Sequence, residues 1–371
     1  MSERIENQYI PDIVSPPGET LEEVLSERGM SQAELAERMG RPKKTINEIV
    51  KGKAAITAET AIQFERVLGV PASFWMVREQ NYREALARAK EFESLESQAD
   101  WLKSIPYRAM AKLGWVEAHK DRSLQIEALL RFFGVASPST WEGMWSAAAP
   151  SFRLSPSYRS ERGAISAWLR KGELDAGSLH CRDFDERAFK AALSEIRSLT
   201  RNFDRGVALT VQNICAASGV AVVFVPEIPG TSVWGATRWL SPNRALIQLS
   251  LRYKTDDHLW FTFFHEAGHI LLHGKRDVFV EEDQQHKDDK EAEADTFSRD
   301  WLIPASQYRA FCRRGAFSCA AVSRFAHELG IAPGIVVGRL QHDSHLSPAH
   351  CHELKKKVDW IFATQSGESN V

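Results

Sequence analysis

Cysteine is scarce in this chain, and so are long apolar runs and net charge. The five cysteines (Cys181, Cys215, Cys312, Cys319 and Cys351) are odd in number and scattered through 371 residues. They form no C-x-x-C pair, which argues against a cysteine zinc ribbon and for a reducing compartment. No apolar run approaches the length of a membrane span, and no basic-then-apolar leader opens the sequence. The expectation is a cytoplasmic protein with no membrane partner. A formal charge of −2 excludes a polycationic nucleic-acid coat, so any DNA contact has to come from a local basic patch. The length leaves room for two or three domains, each burying its own core.

What is present centres on the stretch from Trp260 to Gly274. It reads as a buried helix, with Thr255 or Asp256 placed to cap its start and Gly274 where a C-terminal cap belongs. Inside it His265, Glu266 and His269 make an H-E-x-x-H pattern. Residues four apart share a helix face, so the two imidazoles can converge on one metal ion. Glu266 is one step round the helix, badly placed to ligate but able to take a proton from water. Hydrolysis needs that division of labour. Burying two histidines and a glutamate among Phe261, Phe263, Phe264 and Ile270 costs several kcal/mol, roughly, unless a partner such as a metal compensates. Gly268 in mid-helix costs about 1 kcal/mol relative to alanine, which predicts a close approach to the backbone there.

A catalytic metal site takes three protein ligands and keeps an open position. His273 continues the four-residue spacing but lies two turns from His265, roughly 12 Å along the axis, so it is assigned to capping or to supporting a ligand. The stretch Asp288 to Ser298 reads as a second helix. On it Glu291 and Asp295 share a face, so Glu291 can ligate while Asp295 accepts the free ring N–H of a ligand histidine. Glu293 is the alternative third ligand. Three strands precede the site. Ala221–Val225 is a uniformly apolar run, and Ser232–Trp239 joins Ala245–Leu251 through Ser241-Pro-Asn243 as a hairpin.

Residues 1–17 read as a flexible arm, and helices then follow in quick succession. Ser31 to Glu34 is a capping box, Gly40-Arg41-Pro42 a tight turn, and Lys43 to Val50 a third helix with Ile46 and Ile49 inward. Arg41, Lys43, Lys44, Lys51 and Lys53 face only Glu48. A short helix, a turn and a second helix with a polar outer face match the DNA-binding helix-turn-helix. Arg41, Lys43, Lys44, Thr45 and Asn47 are then the candidate DNA contacts. Residues 101–205 read as four or five helices with no spacing of catalytic residue types. After residue 311 a helical hairpin packs on the core, His342, His345, His350 and His352 form an exposed, loose tail, and the last residues are disordered.

The fold expected is mainly α with a small β-sheet: an N-terminal helix-turn-helix bundle, a helical middle and a C-terminal α+β zincin-like metallopeptidase core. The divisions fall at an arm 1–17, a DNA-binding domain 18–78, a connector and middle region 79–205, a metallopeptidase core 206–310, a helical extension 311–360 and a tail 361–371.

Two resemblances sharpen this reading. Gly29 to Gly40, Lys44 to Ile49 and Gly69 to Trp75 resemble the Cro/XRE-type domain of HigA-type antitoxins. That resemblance covers about ninety residues and implies a double-stranded operator, a homodimer, autoregulation and, in some members, a toxin partner. Phe264 to His273, Glu291 to Phe297 and Trp301-Leu-Ile-Pro304 resemble the ImmA/IrrE family of metallopeptidases. That resemblance implies His265, His269 and Glu291 as ligands of zinc, with manganese also compatible, and Glu266 as general base. It further implies limited cleavage of a repressor-like protein substrate. Ser298 and Arg299 stand where small alanines are common in that family. A different outcome from the same residues is an antitoxin-type repressor whose metal site is structural or sensory.

Overall fold

The computed structural model describes residues 15–148, 162–201, 206–231, 233–250, 252, 255–275, 279–282 and 289–358. Most of the expected arm and all of the expected tail lie outside them. The chain divides into two compact units, Met1–Gln98 and Ala99–Val371.

The first unit is helical: α1 Pro17–Glu27, α2 Gln32–Arg38, α3 Lys43–Val50, α4 Ala58–Leu68 and α5 Ala72–Ser97. Its starts obey local chemistry. Ser31 Oγ accepts the Glu34 N–H at 3.1 Å, and Thr57 Oγ1 accepts that of Thr60 at 3.3 Å, each filling an orphan donor of a first turn. Leu21, Leu35, Ile46, Phe64 and Leu68 are fully buried, and Trp75 at the start of α5 closes the core against Phe64. Further along, α5 buries only Glu79 and Leu95, because its sequence carries no continuous apolar face.

The second unit is built on one sheet of β1 Val220–Phe224, β2 Val233–Ser241, β3 Arg244–Leu249 and β4 Phe279–Glu282, in the order β1-β3-β2-β4. The expected hairpin is β2–β3, antiparallel with a register shift between Trp239 and Ser241; β1 runs parallel to β3. The strand β4, antiparallel to β2, has no counterpart in the sequence reading. Four residues, two apolar and two acidic, are too short a signal for periodicity.

Alternation decides which helices cover which face. Val220, Val222 and Phe224 point into a core shared with α10 Glu186–Leu199, α11 Val207–Ala216 and α12 Asp256–Leu272. Ala221, Val223 and Val225 point the other way, onto Ile165, Trp168 and Leu169 of α9 Arg162–Gly177. With helices on both faces, β1 is buried at every position, hence its unbroken apolar sequence. Part of the helical middle, α9 and α10, thus belongs to the core of the sheet. Ahead of it lie α6 Tyr107–Lys112, α7 Arg122–Phe133 and α8 Pro138–Ala148, where Trp101, Phe133 and Trp141 form an aromatic cluster. Beyond the sheet come α13 Asp289–Leu302, α14 Ala305–Arg314, α15 Cys319–Leu329 and α16 Pro333–His342. The hairpin of α15 and α16 packs on α12, as expected.

Three expectations need correction. The helix α12 ends at Leu272, and its C-cap is His273 in an extended conformation; Gly274 is not left-handed. Cys319 and Cys351 are bonded to each other across 32 residues, a pairing that tertiary structure makes and spacing does not reveal. The late histidines are exposed, but their segment is not loose. Gln341 Nε2 donates to the carbonyls of Ser347, Pro348 and His350, and Cys351 is tied to α15.

Candidate metal centre

Each half of the centre rests on one helix. The sheet and the C-terminal hairpin enclose α12, which is why it tolerates an almost wholly apolar circumference: Trp260, Phe263, Phe264, Ala267 and Ile270 are all buried. His265, Glu266 and His269 are buried with them, at 1%, 0% and 2% exposure. The glycine between them has its close neighbour. A Cβ on Gly268 would stand 3.1 Å from Phe297 and 3.3 Å from the Ala294 backbone, so α13 lies directly over it.

That contact brings Glu291 and Asp295 to the histidines. His265 Nε2 lies 3.1 Å from Glu291 Oε2 and 3.0 Å from His269 Nε2; His269 Nε2 lies 3.5 Å from Glu291 Oε2. Ligands at 2.0–2.2 Å around a tetrahedral ion stand ~3.4 Å apart, and these three atoms form a triangle of that size. Two imidazole nitrogens and one carboxylate oxygen are also the donor set of an open hydrolytic site, so the residues present fit a divalent ion. On its other nitrogen, His265 Nδ1 is 3.0 Å from Asp295 Oδ1. His269 Nδ1 meets His273 Nδ1 at 2.9 Å, and His273 Nε2 meets Glu293 Oε2 at 3.2 Å. Glu293 is thereby turned away from the triangle, and His273 stands behind a ligand position.

The electrostatics follow from burial. Desolvation pushes His269 down to about 4, so its ring is neutral near pH 7 and carries a free lone pair. Burial works to raise the Glu291 carboxyl, but hydrogen bonds with His265 and His269 outweigh it and hold the group well below the usual carboxylate range. Glu266 is the third buried group. Thr237 Oγ1 of β2 donates to its main-chain carbonyl at 3.1 Å, and Gly235 faces its side chain. A Cβ at Gly235 would come within 2.4 Å of Glu266 Oε1, so the glycine makes the room that the carboxylate occupies.

Sequence reasoning missed several supporting residues. Phe279 of β4 stacks on the His269 ring with centroids 3.9 Å apart and planes 11° from parallel. The Arg197 guanidinium donates to the carbonyls of Trp301, Leu302 and Leu329, closing the ends of α13 and α15. Ser298 donates to the Phe261 carbonyl at 2.9 Å and fastens α13 to α12. Only for Ser298 did the sequence hold a signal, its departure from a small apolar residue.

The candidate DNA contacts lie on the first unit. Lys43 and Lys44 are exposed on the first turn of α3, and Thr45 is half-buried. Arg41 and Asn47 are engaged within the unit, Arg41 with Gln63 and Asn47 with Gln32. Of the cationic patch, Arg41 alone is half-buried and held by such a contact, while Lys43, Lys44, Lys51 and Lys53 are exposed.

These arrangements define a chain of two classes, a helix-turn-helix domain and a peptidase-type domain with a His-His-Glu cluster whose histidines are buried. Comparison with known families agrees: residues 21–75 match the family model described as helix-turn-helix, and residues 222–340 match that of the IrrE N-terminal-like domain, a peptidase family. The chain joins a helix-turn-helix domain to an IrrE N-terminal-like peptidase domain. Among solved structures it is similar to an addiction module antidote protein of the HigA family from Coxiella burnetii. The identity is 29%, over 23% of this chain and 92% of that one, with a TM-score of 0.21. It is also similar to the antitoxin HigA of Pseudomonas aeruginosa, solved with the higBA promoter, at 34% identity over 23% and 94% of the two chains and a TM-score of 0.22. No curated protein matches the chain. Among the described residues, no helix is long and apolar enough to cross a membrane.

Proposed function

We propose that this chain is a DNA-binding transcriptional regulator carrying a zinc-dependent endopeptidase, which makes limited cuts in a regulatory protein such as a helix-turn-helix repressor. The observation that carries the reading is the triangle of His265 Nε2, His269 Nε2 and Glu291 Oε2, with Glu266 buried on the same helix and outside the triangle. A zinc ion in that position supplies Lewis-acid polarisation of the scissile carbonyl and makes water easier to deprotonate. Glu266 accepts the proton from the attacking water and passes it to the leaving amine. Asp295 holds the tautomer of His265 that leaves Nε2 free to ligate, and His273 does the same for His269. Phe279 packs flat on the His269 ring and fixes its plane. The edge strand β4 pairs with β2 alone among the described residues, which favours an extended substrate segment adding along its other side. Lys43, Lys44 and Thr45 on α3 would contact a duplex operator, with a second copy of the chain on the other half-site.

The test is Glu266→Gln in the full chain, beside His265→Ala. The glutamine keeps size and polarity but cannot take a proton. Zinc content, folding and DNA binding should match wild type, while cleavage of a candidate repressor falls by roughly 10²–10⁴-fold. His265→Ala should lose zinc as well. Cleavage that survives Glu266→Gln would leave a regulator whose metal site serves structure or sensing. A wild-type protein that takes up neither zinc nor manganese on reconstitution would sink the peptidase reading altogether.

A further inference from the structure

Away from the metal centre, the described residues hold a second cluster of reactive side chains: Cys319, Cys351 and His350, with sulfur and ring nitrogen atoms within 4.8 Å of one another. Cys319 and Cys351 form a disulfide with their Cα atoms 5.4 Å apart. Cys319 is the first residue of α15, whose start is capped by Ser318. Cys351 is 3% exposed and sits in a left-handed turn, φ 56°, in the strap that follows α16.

What lies downstream gives the bond a consequence. Four residues past Cys351, the strap runs along the first turn of α12. Lys356 N donates to Asp256 Oδ1 and Asp256 N donates to the Lys356 carbonyl, both at 2.9 Å. Lys357 pairs with Thr255 as an isolated β-bridge, and Lys355 Nζ meets Asp257 Oδ2 at 2.6 Å, with both side chains nearly buried. Val358 then enters the core at 0% exposure. The strap is thus fastened to the helix that carries His265, Glu266 and His269. Between His345 and His350 it is mainly exposed, and the disulfide is the covalent anchor that limits how far it can move.

We propose that Cys319 and Cys351 are a redox latch: in the disulfide form they hold the strap, through residues 355–358, against the first turn of α12, and on reduction they release that segment and loosen the metal-site helix. The effect on the metal rests on the metal-centre reading above; the latch itself does not. The chemistry balances with a low-molecular-weight disulfide such as glutathione disulfide as oxidant. The Cys319 thiolate attacks one glutathione sulfur and expels the other glutathione. The Cys351 thiolate then attacks the Cys319 sulfur, closing the protein disulfide and expelling the second glutathione. Two protein thiols are oxidised, one glutathione disulfide is reduced to two thiols, and the two protons move to the departing glutathiones. Reduction runs the same steps backwards.

The test uses the zinc-loaded full chain, equilibrated in glutathione buffers of graded ratio. Three quantities are read: the thiol count by mass, amide exchange over 255–258 and 355–358, and the rate of zinc loss to a chromogenic chelator. Reduction should raise exchange in both segments by roughly tenfold and speed zinc loss. Cys319→Ser and Cys351→Ser should match the reduced protein whatever the buffer, and Cys312→Ser should keep the wild-type response. Equal exchange in oxidised and reduced wild type would overturn the latch. So would a second zinc, taken up by reduced wild type and lost in Cys351→Ser and His350→Ala, because the cluster would then be a metal site. Cleavage is not among the readouts, so the latch can fail while the peptidase stands. An oxidised protein that binds neither zinc nor manganese would instead remove the peptidase, with exchange still reporting on the latch.

Discussion

The two units place their candidate functional residues in opposite ways. In the first, Lys43 and Lys44 sit on one short helix, exposed, and owe their position to residues within a few turns of chain. In the second, His265, His269 and Glu291 come from two helices and meet in a site where the histidines are at most 2% exposed. Exposed charges act through water and salt, so each contributes modestly and nearly independently. Buried groups in one cluster share partners, so disturbing one disturbs all. The lesson is one of tolerance: the first surface should yield to mutation by degrees, the second abruptly.

That contrast can be broken most forcefully at a residue with no chemistry of its own. Gly235→Val places a side chain where Glu266 Oε1 stands, since even a Cβ would come within 2.4 Å. Cleavage should fall about 10²-fold or more while zinc content holds, because the triangle is built on α12 and α13 and the displaced group is the proton acceptor. Unchanged cleavage in this variant would show that Glu266 does not work from its present position.

Acid should act next most strongly on the metal-free protein. The buried His269 has a folded value of about 4 against an ordinary 6.5, so it contributes stability that is complete above pH 6.5 and lost as pH falls towards 4. The size is ~3 kcal/mol for a shift of this order. Asp256 opposes it. Burial raises its carboxyl to about 6, so its contribution is complete below its unfolded value near ~3.9 and lost as pH rises through 6. Thermal melts between pH 7 and 5 should therefore show falling stability, and Asp256→Asn should make the fall steeper. A flatter profile in that variant would reverse the assignment.

The smallest effect belongs to the exposed surface. Replacing Lys43 and Lys44 together by alanine should weaken binding to a duplex selected by the wild-type protein by about tenfold. It should also reduce the salt slope by roughly one per lysine, with zinc content and folding unchanged. A loss of all binding together with unfolding would mean that these lysines are structural, and the contrast between the units would fail.

How much of this was legible depended on the range of the interaction. The strand β1 could be read because burial on both faces leaves an unbroken apolar sequence, and α12 because its histidines repeat every four residues among aromatics. Glu291 and Asp295 were marked by their shared helix face, Glu291 also by the family resemblance, and in the fold that face meets the two nitrogens of His265. Glu293, the alternative that lies off that face, is turned towards His273 by the packing of α13. Phe279, Gly235 and Arg197 carried no local mark. A phenylalanine in a charged stretch, a glycine in a strand and one arginine among many acquire their roles only from what stands opposite them.

By itself the sequence determined the repertoire: a helix-turn-helix, a short sheet, and a helix whose two histidines face one way with a glutamate beside them. Periodicity, capping and turn chemistry act over a few residues, so they are written where they act. Tertiary structure alone decided which glycine clears space for Glu266, and that Cys319 finds Cys351 across 32 residues. Those are contacts between segments distant in sequence, fixed by how α13, the sheet and the C-terminal strap pack around α12, and no spacing along the chain encodes a packing geometry.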